Sequence, residues 1–122
     1  MAIDIIAMRV RLEHEGTRLR QEIGRLDERE GAEKDLTEAN TGSSDQMAEA
    51  ALLTTEREKD QALRTQLAQS LSAITRALGK MERGTYGLCD GCGQPIPDAR
   101  LLALPHADLC ISCKSKQEAR RR

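Results

Sequence analysis

Two long stretches of the chain carry apolar side chains at helical intervals, and a polar segment separates them. From residue 5 to 39 there is no proline, and Ile5, Met8, Leu12, Leu19, Ile23 and Leu26 follow in steps of three, four, seven, four and three. That is the spacing of a helix with one narrow apolar seam. A second proline-free stretch, from 46 to 83, carries Leu63, Leu67, Ile74, Leu78 and Met81, in steps of four, seven, four and three. Asn40-Thr41-Gly42-Ser43-Ser44-Asp45 between them is turn chemistry without an apolar member. If the chain folds back on itself, seam partners must have a constant sum. Ile5 with Met81, Met8 with Leu78, Leu12 with Ile74, Leu19 with Leu67 and Ile23 with Leu63 all sum to 86, which puts the hinge at Ser43. Two seams read separately thus predict one antiparallel coiled-coil hairpin over residues 1–83, its tip at 40–46. Each arm would be about 50 Å long at a rise of ~1.5 Å per residue.

The seam thins toward the tip. In this register Leu26 faces Asp60 and Glu30 faces Glu56, leaving Leu36, Ala39, Met47, Ala50, Leu52 and Leu53 to knit the end. A solvated, fraying hairpin end is one reading of those polar positions. The other is a probe whose acidic end is meant to touch a partner. Charge favours the probe, because residues 27–60 hold eleven acids against four bases, whereas 100–122 hold six bases against two acids. The net charge of −1 conceals this polarity.

Composition removes several function classes. Tyr86 is the one aromatic residue among 122, while 32% of the chain is charged and 39% apolar. A β-sandwich or barrel would need many more β-branched and aromatic residues, and a base-stacking RNA module needs aromatic rings. So short and charged a chain is also a poor host for a large substrate pocket. Tyr86, at the boundary between the hairpin and residues 84–122, is expected to pack that junction. The first apolar residues are few and are interrupted by Arg9 and Arg11. Neither a leader nor a membrane span is expected, and the chain reads as cytosolic.

Residues 84–122 carry the chemistry. Cys89-Asp90-Gly91-Cys92 and Cys110-Ile111-Ser112-Cys113 are two C-x2-C pairs seventeen residues apart, and they contain every cysteine present. In a cytosolic setting such pairs are metal knuckles rather than disulfides. Gly91 and Gly93 would permit the backbone bend. Four thiolates complete a tetrahedron around one Zn2+ and leave no open position, so the ion is expected to be structural and to supply folding energy. His14 and His106 are then surface residues. No nucleophile–base pair, carboxylate pair or glycine-rich phosphate loop is present, and no catalysis is expected. The fold class expected is mostly α: the hairpin, then a small four-cysteine zinc finger ending in a short basic helix.

Gly84-Thr85-Tyr86-Gly87-Leu88-Cys89-Asp90-Gly91-Cys92, Ile96, Arg100-Leu101, Pro105 and Cys110-Ile111-Ser112-Cys113-Lys114 together resemble the zinc finger of the DksA/TraR family. The upstream hairpin has the length and placement of that family's coiled coil. The resemblance implies a regulator that binds bacterial RNA polymerase, with the globular end at the rim of the secondary channel and the coiled coil directed toward the active site. It also implies action on promoter complexes, often together with guanosine tetraphosphate, and no sequence-specific DNA binding. A monomer is expected.

The tip departs from the family pattern. Well-known members carry D-x-x-D-x-A where this chain reads Gly42-Ser43-Ser44-Asp45-Gln46-Met47. Asp45 matches the second acid, Gly42 replaces the first, and Met47 stands in place of the alanine. Asp45, with Ser44 and Met47, is the candidate partner contact, although Asp is equally suited to cap the second helix. A basic residue that some members show before the finger proline is Leu104 here, so alarmone binding is not carried over. Lys114 is the remaining candidate anion contact. Two other readings stay open: an interaction module that has lost the tip chemistry, and a nucleic-acid binder using the finger and the Arg120-Arg121-Arg122 tail, which would show steep salt dependence.

Overall fold

In a computed structural model the described residues are 3–39 and 44–121. Among them the elements are α1 (Ile5–Ala39), α2 (Ser44–Arg83), α3 (Asp98–Ala103) and α4 (Ile111–Arg120), with one isolated antiparallel bridge between Leu88 and Pro95. The chain divides into two compact units, one formed by Met1–Thr17 with Leu71–Arg122 and the other by Arg18–Ser70.

Both ends of the hairpin helices have recognisable causes. Asp4 accepts at Oδ1 from Ile6 N–H (3.0 Å) and Ala7 N–H (3.2 Å), capping the orphan donors at the start of α1. At the end of α2, Gly84 takes φ +75°, its N–H donating to Met81 O at 3.3 Å while Thr85 N–H donates to Lys80 O at 2.9 Å. This is a Schellman closure, and glycine is the residue that adopts the left-handed turn without strain. α2 already begins at Ser44, which places Asp45 within its first turn. Residues 40–43 of the expected tip, and the side chains of Ser44 and Asp45, lie outside the described residues.

In the unit holding the chain ends, Met8, Leu12, Ile74, Ala77 and Met81 form the buried seam, with Leu12 and Ile74 almost wholly inaccessible. In the other unit Leu19 and Leu26 are buried. The expected seam needs three corrections. Ile5 and Leu63 are 41% and 44% exposed rather than seam residues. Ala77 takes the buried position expected of Leu78, which is half-buried. Both spacings satisfy an a/d pattern, and the rotation of α2 that selects Ala77 lets a small side chain face the partner helix. Gly16 is buried too, in the gap of seven that the apolar pattern left between Leu12 and Leu19.

The pairing of charges also differs from expectation. Arg64 Nε donates to Asp27 Oδ1 at 2.6 Å, Gln61 Nε2 donates to Glu30 Oε1 at 3.2 Å, and Arg29 Nη2 lies 3.4 Å from Asp60 Oδ2. These partners sum to 89–91 rather than 86, so the polar side chains reach across to residues about one helical turn from those the seam register sets opposite them. The offset has a physical reason. It replaces the like-charged Glu30–Glu56 encounter with opposite charges and hydrogen-bonding pairs.

A small core gathers in the finger and takes in one residue from ahead of α1. Cys89, Ile96 and Leu101 are buried, and Ile3, Tyr86, Ala107 and Leu109 pack around them. Tyr86 is half-buried there, as expected of a packing residue, and its hydroxyl donates to Pro105 O at 2.8 Å.

Candidate metal centre

The two C-x2-C pairs lie on different local structures, and backbone hydrogen bonds bring them together. The first knuckle is enclosed by the Leu88–Pro95 bridge, with Cys89 N–H donating to Gln94 O (2.9 Å) and Gly93 N–H donating to Cys89 O (2.9 Å). The second sits at the start of α4, with Cys110 at its N-cap position. Asp90 N–H donates to Asp108 O at 2.8 Å and ties the knuckles to each other. Arg100, from α3, donates through Nε to Leu109 O at 2.9 Å and holds the approach to Cys110.

All four thiol groups converge. The Sγ atoms of Cys89, Cys92, Cys110 and Cys113 lie within 4.8 Å of one another, with Cys92 and Cys110 3.9 Å apart. A tetrahedral ion with Zn–S of about 2.3 Å requires sulfurs about 3.8 Å apart. The donor set therefore suits zinc with only a small contraction of the sulfurs, and all four cysteines are free thiols. Gly91 serves the site through close approach, because a Cβ there would lie 2.9 Å from Cys113 Sγ. Of the two glycines expected to bend the knuckle, Gly93 is the one with positive φ, at +75°.

The protein around the thiols is arranged for negative charge at one of them. Cys89 Sγ accepts from Cys110 N–H and from Gly91 N–H, each at 3.3 Å. The Cys110 N–H, with help from Gly91 and Cys92, draws the Cys89 pKa down to about 6 despite burial. Cys113, hydrogen-bonded first to Cys110 and also to Cys89 and Cys92, is pushed up to about 12. A divalent cation removes that conflict, since each thiolate then faces the metal rather than another thiolate. Four thiolates are as many ligands as a tetrahedral zinc ion takes.

The other residues singled out in the sequence are more dispersed. Met47 is 70% exposed near the start of α2. Lys114, the first residue after Cys113, is half-buried on α4 and donates through Nζ to Gln117 Oε1 at 3.4 Å. His14 is exposed as expected, whereas His106 is half-buried, lining a cleft with Arg11, Glu15 and Pro105, and neither belongs to the thiol cluster. Sequence pattern missed a set of polar contacts around the knuckles. Lys80 reaches Asp90 at 2.6 Å and Leu88 O at 3.1 Å, and Arg76 lies 3.7 Å from Asp108. No periodicity or motif announces them, because each joins a helix position to a loop position.

Residues 84–119 match the family model described as the prokaryotic dksA/traR C4-type zinc finger. The chain is 35% identical over 95 residues to general stress protein 16O of Bacillus subtilis, covering 78% of this chain and 58% of that protein. It is 44% identical over 50 residues to the RNA polymerase-binding transcription factor DksA of Escherichia coli K12, covering 41% of this chain and 33% of that protein. The chain thus spans under two thirds of the length of these curated relatives. Among solved structures, that of transcription factor DksA2 from Pseudomonas aeruginosa superposes with a TM-score of 0.63 and 33% identity, over 95% of this chain and 87% of that one.

Proposed function

This chain belongs to the DksA/TraR family, and from that premise we propose that it is a transcription regulator that binds bacterial RNA polymerase at the secondary channel. In this reading the coiled-coil tip is directed toward the polymerase active site. Cys89, Cys92, Cys110 and Cys113 ligate one zinc ion per chain and keep the base rigid. The observation that carries the proposal is the order of parts: an antiparallel hairpin followed directly by a four-thiol cluster, alike over 95% of the chain to a transcription factor structure. Charge supports it, since residues 27–60 are acidic and a carboxylate finds favourable partners at a magnesium-bearing centre. Asp45, Ser44 and Met47 are the proposed tip contacts and Lys114 an anion contact. The chain acts as a monomer in the cytoplasm, without sequence-specific DNA binding.

The test is in vitro transcription with purified polymerase, comparing the parent chain with Asp45→Ala. The parent should bind core polymerase at moderate salt and change promoter-complex lifetime, and Asp45→Ala should keep the binding and lose most of the effect. A parent that neither binds nor alters transcription overturns the reading. If the parent binds without effect, and Gly42→Asp with Met47→Ala creates one, the chain is an interaction module occupying the same channel.

A further inference from the structure

Lys80 stands in the last turn of α2, nine residues before Cys89, and ligates nothing. Its side chain is nonetheless only 12% exposed, which for a lysine needs a reason. Nζ lies 2.6 Å from Asp90 Oδ1 and donates to Leu88 O at 3.1 Å. Leu88 and Asp90 are the two neighbours of Cys89, so a single ammonium grips the chain on both sides of the most buried thiol. The grip passes onward, because Asp90 N–H donates to Asp108 O at 2.8 Å, two residues before Cys110. Asp108 is held in turn by Arg76, one turn earlier on α2, at 3.7 Å. α2 therefore meets both knuckles through two cations on one face.

We propose that Lys80 is a positioning residue through which α2 sets the metal affinity of the finger. The unbound knuckle must surrender conformational freedom to present Cys89 Sγ in ligating geometry. A contact that holds the backbone on either side of that residue removes part of this cost before the ion arrives, and the affinity rises accordingly. Lys80 is suited to the role by placement as well as charge. Its own carbonyl accepts Thr85 N–H in the Schellman closure, so its backbone is anchored at the point where the finger begins. Arg76 and Asp108 are 59% and 40% exposed at a longer distance, and their contribution is the smaller one.

The experiment uses the full chain loaded with zinc, titrated with a chromophoric chelator, and the same chain loaded with cobalt(II) for its visible bands. Lys80→Met should weaken zinc binding about tenfold, the low end of the range for outer-shell partners of a metal site. It should also shift the cobalt bands as Cys89 Sγ moves. Asp90→Asn, a change at a half-exposed loop position, should give a smaller loss, and Lys80→Met should cost less in that background than in the parent. Lys80→Met with parental affinity and an unshifted cobalt spectrum overturns the proposal, as do losses that add in full. Should Lys80→Met lose helical content, Asp90→Asn decides alone, and parental affinity there overturns the proposal. These readouts need no polymerase and stand apart from the fate of the proposed function.

Discussion

Asp27 and Arg64 meet across the hairpin through two prongs, Nε to Oδ1 at 2.6 Å and Nη2 to Oδ2 at 3.4 Å. The hydrogen bond from Arg64 holds the Asp27 carboxyl below its ordinary pKa. A depressed carboxylate stabilises the fold above its unfolded pKa, and the benefit disappears as pH falls through the folded one. A double-mutant cycle of Asp27→Asn and Arg64→Met should therefore show favourable coupling at pH 7 that weakens as the pH is lowered below the ordinary carboxylate range. The coupling should be modest and should shrink with salt, because both side chains are about half exposed. Gly91 makes a sharper prediction. Gly91→Ala sets a Cβ 2.9 Å from Cys113 Sγ, and a thiolate fixed by a metal cannot swing away as a free side chain would. Zinc stoichiometry by metal analysis should fall well below one per chain at limiting zinc, while Gly24→Ala, with open space around it, leaves it unchanged.

Each long helix has a periodic part and a paired part. Ile74 is 1% exposed in the periodic part of α2, so Ile74→Ala should cost about 2–5 kcal/mol in denaturant unfolding, as large-to-small core changes do. Leu63, 44% exposed although it belongs to the same apolar pattern, should cost under about 1 kcal/mol on the same change. The paired part is a different problem. In the Arg29–Asp60 pair only the carboxylate is covered, with Asp60 14% exposed and Arg29 56% exposed. The helices themselves were legible, since proline-free 3/4 spacing from 5 to 39 coincides with α1 (Ile5–Ala39). Register was not, because an apolar period tolerates either Leu78 or Ala77 inward, and because pairs such as Asp27–Arg64 are invisible to it. The thiol cluster was legible for the opposite reason: ligand chemistry restricts both residue type and spacing. The Lys80 grip was hidden because it depends on where a helix end meets a loop.

At the scale of the molecule, stability has two sources. Most of the buried apolar side chains among the described residues lie on α1 and α2, whereas the finger buries few beyond Ile96 and Leu101. Stripping the zinc with a chelator should therefore unfold residues 84–121 and leave most of the α1 and α2 helix signal in circular dichroism. Equal loss of both would show that the hairpin depends on the metal centre.

Tyr86 gives this chain a spectroscopic property of its own. With no tryptophan and no second tyrosine, all near-ultraviolet absorbance and intrinsic emission from aromatic rings comes from one ring seated in the finger. Burial raises the pKa of that phenol, and its proton is engaged with Pro105 O. Phenolate absorbance should thus appear at higher pH in the zinc-loaded chain than in the chelated one. The protein carries a built-in optical probe of its metal state, readable without a label and blind to the rest of the molecule.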